Sequence, residues 1–211
     1  MSARMAQPHR RRLAAAAAAA AAVALLAGAS PAGAQAVGAR AVSGGTWGEA
    51  REVPGLAALN QGGFANITSV SCASAGNCTA GGSYTDSSGG GQAFVVSETN
   101  GTWGKAKEIP GTAALNQNRA TVFGSLSCAS AGNCSAGGEY TDINGQPQPF
   151  VVNEVNGTWR AAEEIPGTAV LAPNGSYGIN ALSCAPAGTC SAGGNYSDGS
   201  GHSQAFVVSQ T

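Results

Sequence analysis

The chain has 211 residues, only 10% of which are charged, and it contains 32 glycines and six cysteines. This length is sufficient for one domain with a substantial core. The formal net charge of −1 and the scarcity of basic residues argue against a nucleic-acid partner, which requires a strongly basic surface.

The N-terminus has the pattern of a signal peptide. Four arginines, ending at Arg12, precede an apolar run over residues 13–27 and the small-residue triplet that ends at Ala34. We therefore predict that residues 1–34 are a signal peptide cleaved near Ala34, that residues 35–44 are a linker, and that the protein is secreted. The remaining chain carries six basic and eleven acidic residues and has no second long apolar run. It is expected to be acidic and to have no membrane span after cleavage.

The rest of the sequence is a threefold repeat with a period of 56 residues. The recurring landmarks are Trp47, Trp103 and Trp159, Tyr84, Tyr140 and Tyr196, and Phe94, Phe150 and Phe206. A period of this size predicts supersecondary units that stack on one another. Residues 45–211 are accordingly predicted to be one repeat domain with units 45–100, 101–156 and 157–211.

Each unit is predicted to be all-β, with four short strands. In the first unit these are residues 46–49, 67–72, 78–84 and 93–97, which alternate or are rich in β-branched side chains, and helical spacing is absent. Turns are predicted at the Asp86 segment and at Asn100-Gly101. The Gly81-Gly82 pair inside the third strand indicates close approach of a neighbouring backbone or aromatic ring.

The six cysteines are predicted to form three local disulfides. Each pair flanks a loop of five small residues, and a tight hairpin brings the two Cα atoms within bonding range. The pairs are Cys72 with Cys78, Cys128 with Cys134, and Cys184 with Cys190. No metal or cofactor is expected, because zinc requires four ligands and the chain beyond residue 34 offers a single histidine, His202.

Repeats of the form Ser-Cys-x5-Cys-x-Ala-Gly-Gly-x-Tyr-Thr/Ser-Asp, followed by Phe-Val-Val and Asn-Gly-Thr-Trp, span residues 45–211. This pattern resembles that of secreted actinobacterial propeller-like repeat proteins. The resemblance implies four-stranded blades of a β-propeller and supplies no catalytic residues. A threefold β-trefoil-like fold is the alternative.

Closure of such a ring requires more than three units, since closed propellers have about 4–8 blades. A homodimer that completes a six-bladed ring is therefore predicted. Residues 46–53 and 206–208 are the unpaired first and last strands, and exposed edges are normally covered. We expect these two segments to pair, either within one chain or between two chains.

Candidate contact residues lie between each Pro-Gly turn and the next cysteine, where the three units differ most. Aromatic rings beside amides suit glycan recognition, so an extracellular glycan-binding or cell-surface-binding module without enzymatic activity is predicted. A structural or protein-interaction role in the cell envelope is the alternative, and a glycan-active hydrolase is less favoured. The candidates are Asn60, Gln61, Phe64, Asn116, Gln117, Arg119, Asn174 and Tyr177.

Residues that recur in every unit are expected to serve the scaffold. The tryptophans are interpreted as core residues, with sugar-stacking platforms as the alternative. Asp86 and its two counterparts are expected to bond backbone N–H groups of their own turns, and Glu52, Glu108 and Glu164 to be solvated. Glu139 and His202 occur in one unit each and have no evident catalytic partner.

Overall fold

The structure is a computed structural model that describes residues 45–172 and 175–211. The predicted signal peptide and linker, 1–34 and 35–44, lie outside the described residues. Residues 45–48 are exposed and irregular, and Glu49–Thr211 forms a compact unit. This unit is built from antiparallel sheets, one for each repeat, which confirms the all-β prediction.

Each repeat contributes one helical turn and three long strands, and the two later repeats begin with two additional short strands. The first repeat comprises α1 (Leu56–Leu59), β1 (Ala65–Ser74), β2 (Asn77–Thr85) and β3 (Gly91–Thr99). The second comprises β4 (Thr102–Trp103), β5 (Lys107–Glu108), α2 (Thr112–Leu115), β6 (Thr121–Ser130), β7 (Asn133–Thr141) and β8 (Pro147–Val155). The third comprises β9 (Thr158–Trp159), β10 (Glu163–Glu164), α3 (Thr168–Leu171), β11 (Tyr177–Cys184), β12 (Cys190–Ser197) and β13 (Ser203–Ser209).

The outermost strands of the first two sheets come from the following repeat. Strand β5 pairs with β3, and β10 pairs with β8, each in antiparallel register. The third sheet contains only β11, β12 and β13. The predicted strand over residues 46–49 is wrong, because these residues are irregular in the structure.

The three helical turns were not predicted. Each follows a Pro-Gly pair whose glycine has a positive φ, for example 76° at Gly55, a conformation that glycine adopts without steric cost. Each helix is only four residues long. A single turn is too short to show the spacing of apolar residues that identifies a helix in a sequence.

The three predicted disulfides are confirmed. Cys72 lies opposite Cys78 in the register of β1 and β2, and their Cα atoms are 3.9 Å apart. The other two pairs occupy the equivalent positions of their sheets. Each bond therefore ties together the two strands of the hairpin that it closes.

The sheets are joined by a side chain of one sheet that packs on a glycine of the previous sheet. The ring of Phe123 on β6 lies against Gly81 on β2, and Ile179 on β11 lies against Gly137 on β7. Gly82 also faces the backbone carbonyl of Asn66 closely. The prediction that these glycines permit close approach is confirmed.

The three sheets form an open row. Strand β1 contacts β6, and β6 contacts β11, while β1 and β11 share no comparable contact. Residues 49–53 form no strand, and β13 pairs only with β12 among the described residues. The predicted pairing of residues 46–53 with 206–208 within one chain is therefore wrong. Pairing between two chains stays a prediction.

Candidate functional site

Phe64 presents its ring to solvent on a fixed loop. The side chain is 60% exposed, and its carbonyl accepts a hydrogen bond from the Thr85 amide at 2.9 Å. The Gly62 amide donates to the Thr85 carbonyl, also at 2.9 Å. A β-carbon at Gly62 would lie 2.7 Å from the carbonyl oxygen of Asp86, so a larger residue would push this loop away from the end of β2.

Gln61 accompanies Phe64 on the same loop. Its side chain is exposed, and the amide group donates to the Ala58 carbonyl at 3.2 Å. The side-chain carbonyl oxygen accepts no hydrogen bond among the described residues. Asn60 is half-buried at the C-terminus of α1, and its buried Oδ1 has no hydrogen-bond partner among the described residues.

The counterpart of Asn60 in the second repeat, Asn116, serves the scaffold. It is buried, its Oδ1 accepts a hydrogen bond from the Ala120 amide at 2.7 Å, and its Nδ2 donates to the Gly91 carbonyl at 3.3 Å. These bonds join the second loop to the start of β3 in the first sheet. Asn116 is therefore not available as a contact residue, contrary to the sequence-based expectation.

Arg119 brings the first two repeats together at this end of the sheets. It has a φ of 61°, and its guanidinium lies 3.5 Å from the Asp86 carboxylate. Its carbonyl also accepts a hydrogen bond from the Gly91 amide at 2.9 Å. Gln117 is exposed on the same loop. The Asp86 turn thus lies between the loop that carries Phe64 and the loop that carries Arg119.

Asp86 organises its own turn, as predicted. Its carboxylate accepts hydrogen bonds from the Ser88 amide at 2.8 Å and the Gly90 amide at 2.9 Å. Hydrogen bonds from the Ser88 hydroxyl and the Gly90 amide hold the pKa of Asp86 far below its ordinary value. The same pattern occurs at Asp142 and Asp198, so it belongs to the scaffold.

The third repeat does not present the aromatic ring that was expected. Tyr177 is only 2% exposed. Its hydroxyl donates to the carbonyls of Thr168 and Ala172, and its ring stacks on Tyr196 at a centroid distance of 5.7 Å. Tyr177 is the first residue of β11, where a strand side chain points into the sheet packing. Asn174 lies outside the described residues.

We use the name Phe64 rim for the exposed surface formed by Gln61, Phe64, Gln117 and Arg119 with the Asp86 turn. The first loop contacts the Asp86 turn near Gly62, and the second contacts it through Arg119. The structure places Asn116 and Tyr177 in the interior.

Sequence reasoning missed Glu154, which lines a cleft of about 430 Å³ between the first and second sheets. Its carboxylate is buried; one oxygen accepts a hydrogen bond from the Ser97 hydroxyl at 3.4 Å, and the other has no partner among the described residues. Burial raises the pKa of Glu154, and the hydrogen bond from Ser97 and the nearby Lys107 partly oppose that change. Lys107 and Trp159 also line this cleft.

Comparison between repeats shows that Glu154 occupies a bridging position. Its counterpart is Gln210, which donates from Nε2 to Oδ1 of Asn153 at 2.8 Å. Asn153 is itself the counterpart of Ser97. In the third repeat the neutral side chain of Gln210 therefore makes the same bridge between two sheets. Since the bridge does not require a carboxylate, it indicates a scaffold role for Glu154.

The repeated glutamates are not simply solvated, contrary to the prediction for Glu108 and Glu164. The Tyr84 hydroxyl donates to Glu108 at 2.8 Å, and Tyr140 donates to Glu164 in the same way. Each bond links a tyrosine to the short strand that the next repeat supplies. Burial and the hydrogen bond to glutamate both raise the pKa of each tyrosine.

The tryptophans differ in exposure. Trp47 is 97% exposed and Trp103 is 37% exposed, whereas Trp159 is partly buried and packs against the core cluster that includes Phe123 and Phe150. The expectation that all three form core is wrong for Trp47, which lies in an irregular segment.

Glu139 and His202 lie in different surroundings. Burial raises the pKa of Glu139, which lies beside Gly178. His202 is exposed, with Nδ1 3.7 Å from the Asp198 carboxylate. The described residues contain no cluster of three His, Cys, Asp or Glu side chains suited to a metal ion.

No helix among residues 45–172 and 175–211 has the length and apolar character that crossing a membrane requires. No known protein-family model matches the chain, and no curated protein matches it significantly.

Proposed function

We propose that this protein is a secreted binding module without enzymatic activity, and that its ligand is a glycan of a cell surface. The observation that carries the proposal is the exposed ring of Phe64 on a loop that two backbone hydrogen bonds fix to the end of β2. The apolar face of a sugar ring stacks on an exposed aromatic ring, and neighbouring polar side chains bind its hydroxyls.

The remainder of the Phe64 rim supplies these polar groups. The exposed Gln61 side chain offers its carbonyl oxygen as an acceptor, Gln117 offers an exposed amide, and the Arg119 guanidinium presents several N–H donors. The loops are held by backbone bonds, so little conformational entropy would be lost on binding. Such a surface suits an uncharged, hydroxyl-rich ligand.

The disulfides support the proposed location. Three disulfides in a chain of this size are typical of proteins that fold in an oxidising compartment outside the cytoplasm. A secreted protein meets the glycans of cell surfaces and cell walls directly.

The experiment is a glycan and cell-wall polysaccharide array probed with the purified protein and with Phe64→Ala. We expect binding to at least one polysaccharide and a loss of about tenfold or more in affinity for Phe64→Ala, as for a contact that contributes more than about 1.4 kcal/mol. Val170→Ala is the matched control, because Val170 is also an exposed apolar residue but lies on α3 in the third repeat. Equal losses for both variants would contradict the assignment to the Phe64 rim.

A structural or protein-interaction role in the cell envelope is the second candidate. It is favoured by the exposed apolar side chains at the two ends of the row of sheets, including Val70 and Val207. Absence of binding to every polysaccharide on the array would favour this role over the first.

A further inference from the structure

The first and last sheets each expose a surface that is buried elsewhere in the row. Ile67 on β1 is 40% exposed, whereas its counterparts Phe123 and Ile179 are buried against the preceding sheet. Val207 on β13 is 87% exposed, whereas its counterpart Val95 is buried in the core cluster that includes Phe123 of the next sheet. We call the first surface the leading face and the second the trailing face.

We propose that the trailing face of one molecule binds the leading face of a second copy of this chain, by the same contacts that join consecutive sheets within the molecule. The proposal is independent of the glycan ligand. A second copy is the expected partner, because each contact that joins two sheets within the molecule has two groups. Among the described residues, one of these groups is left without its partner on the leading face and the other on the trailing face.

The first pair of groups that remain without their partners, one on each face, is apolar. A β-carbon at Gly81 would collide with Phe123, and one at Gly137 would lie 3.2 Å from Ile179. At the third equivalent position, Gly193, an added β-carbon would meet only its own sheet, at 3.5 Å or more. Gly193 is thus a vacant slot on the trailing face, and Ile67 is the corresponding exposed side chain on the leading face.

The second unmatched pair is polar. The Cys128 amide donates to the Ser71 hydroxyl at 3.0 Å, and the Cys184 amide donates to the Ser127 hydroxyl at 3.0 Å. The next hydroxyl in this series belongs to Ser183 on β11. Among the described residues Ser183 receives no such bond, and the matching amide is that of Cys72 on the leading face of another copy.

The third unmatched pair is a strand edge. Lys107 pairs with Val95, and Glu163 pairs with Val151, at the outer edges of the first two sheets. In the third sheet no described residue pairs with this edge along Phe206 and Val207. An open edge of this kind is a template for pairing with another chain. The residues equivalent to β5 in the first repeat are Arg51 and Glu52, so this segment of another copy is the expected partner of the open edge.

The fourth unmatched pair is the tyrosine–glutamate bond. Tyr84 donates to Glu108, and Tyr140 donates to Glu164. The third tyrosine, Tyr196, has no hydrogen bond from its hydroxyl among the described residues. The glutamate that would match it is Glu52, which is exposed on the leading face.

The leading segment is already positioned for this contact. Glu52 and Val53 lie along an apolar groove of the first sheet with Val70. In the third repeat, Glu163 and Ile165 line the equivalent groove with Leu182 while Glu163 pairs with the previous sheet. Association would therefore require no rearrangement of the sheet that carries this segment.

The contact is heterologous, since it joins two different faces, and each molecule has both. This property permits a complementation experiment. Ile67→Asp disables the leading face only, and Gly193→Glu disables the trailing face only. Ile67 is 40% exposed, and a β-carbon at Gly193 would lie 3.5 Å or more from its nearest neighbours. Both variants are therefore expected to fold, which circular dichroism and the melting temperature of dilute samples check.

The measurement is the molecular mass in solution by sedimentation equilibrium over a wide range of concentration. We expect the unmodified protein to associate beyond the monomer, each variant alone to be monomeric, and an equimolar mixture of the two to form dimers through the one intact pair of faces. Ile143→Asp, at an exposed position away from both faces, should keep the mass of the unmodified protein. A monomeric unmodified protein, or a mixture that stays monomeric, would overturn the proposal.

Discussion

The contact between Gly81 and Phe123 predicts a graded series of substitutions at three equivalent glycines. An alanine β-carbon at Gly81 would stand 2.7 Å from Cε1 of Phe123 and closer still to Cζ. Overpacking of this kind typically costs about 1–3 kcal/mol. For a domain of this size, that corresponds to a decrease in melting temperature of roughly 2–12 °C.

The same substitution should have less effect at the other two positions. At Gly137 the nearest atoms, the Phe150 carbonyl oxygen and Cγ2 of Ile179, would lie at 3.1 and 3.2 Å, and the isoleucine can adjust. At Gly193 the nearest atoms would lie 3.5 Å or more away, which is ordinary van der Waals contact, so alanine should be neutral or should stabilise by up to about 1 kcal/mol through the unfolded state. The expected order of destabilisation is Gly81→Ala, then Gly137→Ala, then Gly193→Ala.

The assay is thermal unfolding followed by circular dichroism, with disulfides intact and at low protein concentration. Phe123→Leu in the Gly81→Ala background should recover part of the lost stability, because it removes the ring that the new methyl group meets. Equal melting temperatures for all three alanine variants, or no recovery in the double variant, would refute the account of how the sheets pack.

Two further predictions concern Glu154 and the disulfides. Burial raises the pKa of Glu154. Above the ordinary pKa of glutamate, the folded protein therefore binds more protons than the unfolded chain. The contribution of this residue to the free energy of unfolding consequently decreases as pH rises through that range. Glu154→Gln should therefore raise the urea midpoint at pH 7 more than at pH 4. The control is Glu98→Gln, at the less buried equivalent position, which should change the midpoint little. An effect of Glu154→Gln that does not depend on pH would contradict this reasoning. Replacing Cys72 and Cys78 together by serine should cost about 2 kcal/mol of unfolding free energy, the chain-entropy value for so short a loop, measured by urea unfolding; an unchanged midpoint would show that this bond does not contribute to stability.

Much of the fold follows from local patterns in the sequence. The period of 56 residues identifies the units, and the paired cysteines identify the hairpin between β1 and β2. The Asp86 turn is also predictable, because its hydrogen bonds lie within five residues. Each of these features depends on residues that are close together in the chain.

The features that the sequence did not reveal depend on contacts between repeats. From the sequence alone Glu108 is predicted to be a solvated strand residue. In the structure β5 pairs with the previous sheet, and the Tyr84 hydroxyl there donates to Glu108. The sequence likewise gives no sign that Glu154 differs from a surface acid, whereas in the structure the neighbouring sheet buries it. Tyr177 departs from the repeat pattern as an exposed loop residue would, yet it begins β11 and packs inward.

The central claim, glycan binding at the Phe64 rim, is tested most directly by the dissociation constant for one soluble cell-wall oligosaccharide, measured by titration calorimetry. We expect Phe64→Tyr to retain affinity, since it keeps an aromatic ring, and Phe64→Ala to lose about tenfold or more. Equal affinity of the unmodified protein, Phe64→Tyr and Phe64→Ala for that oligosaccharide would contradict the claim.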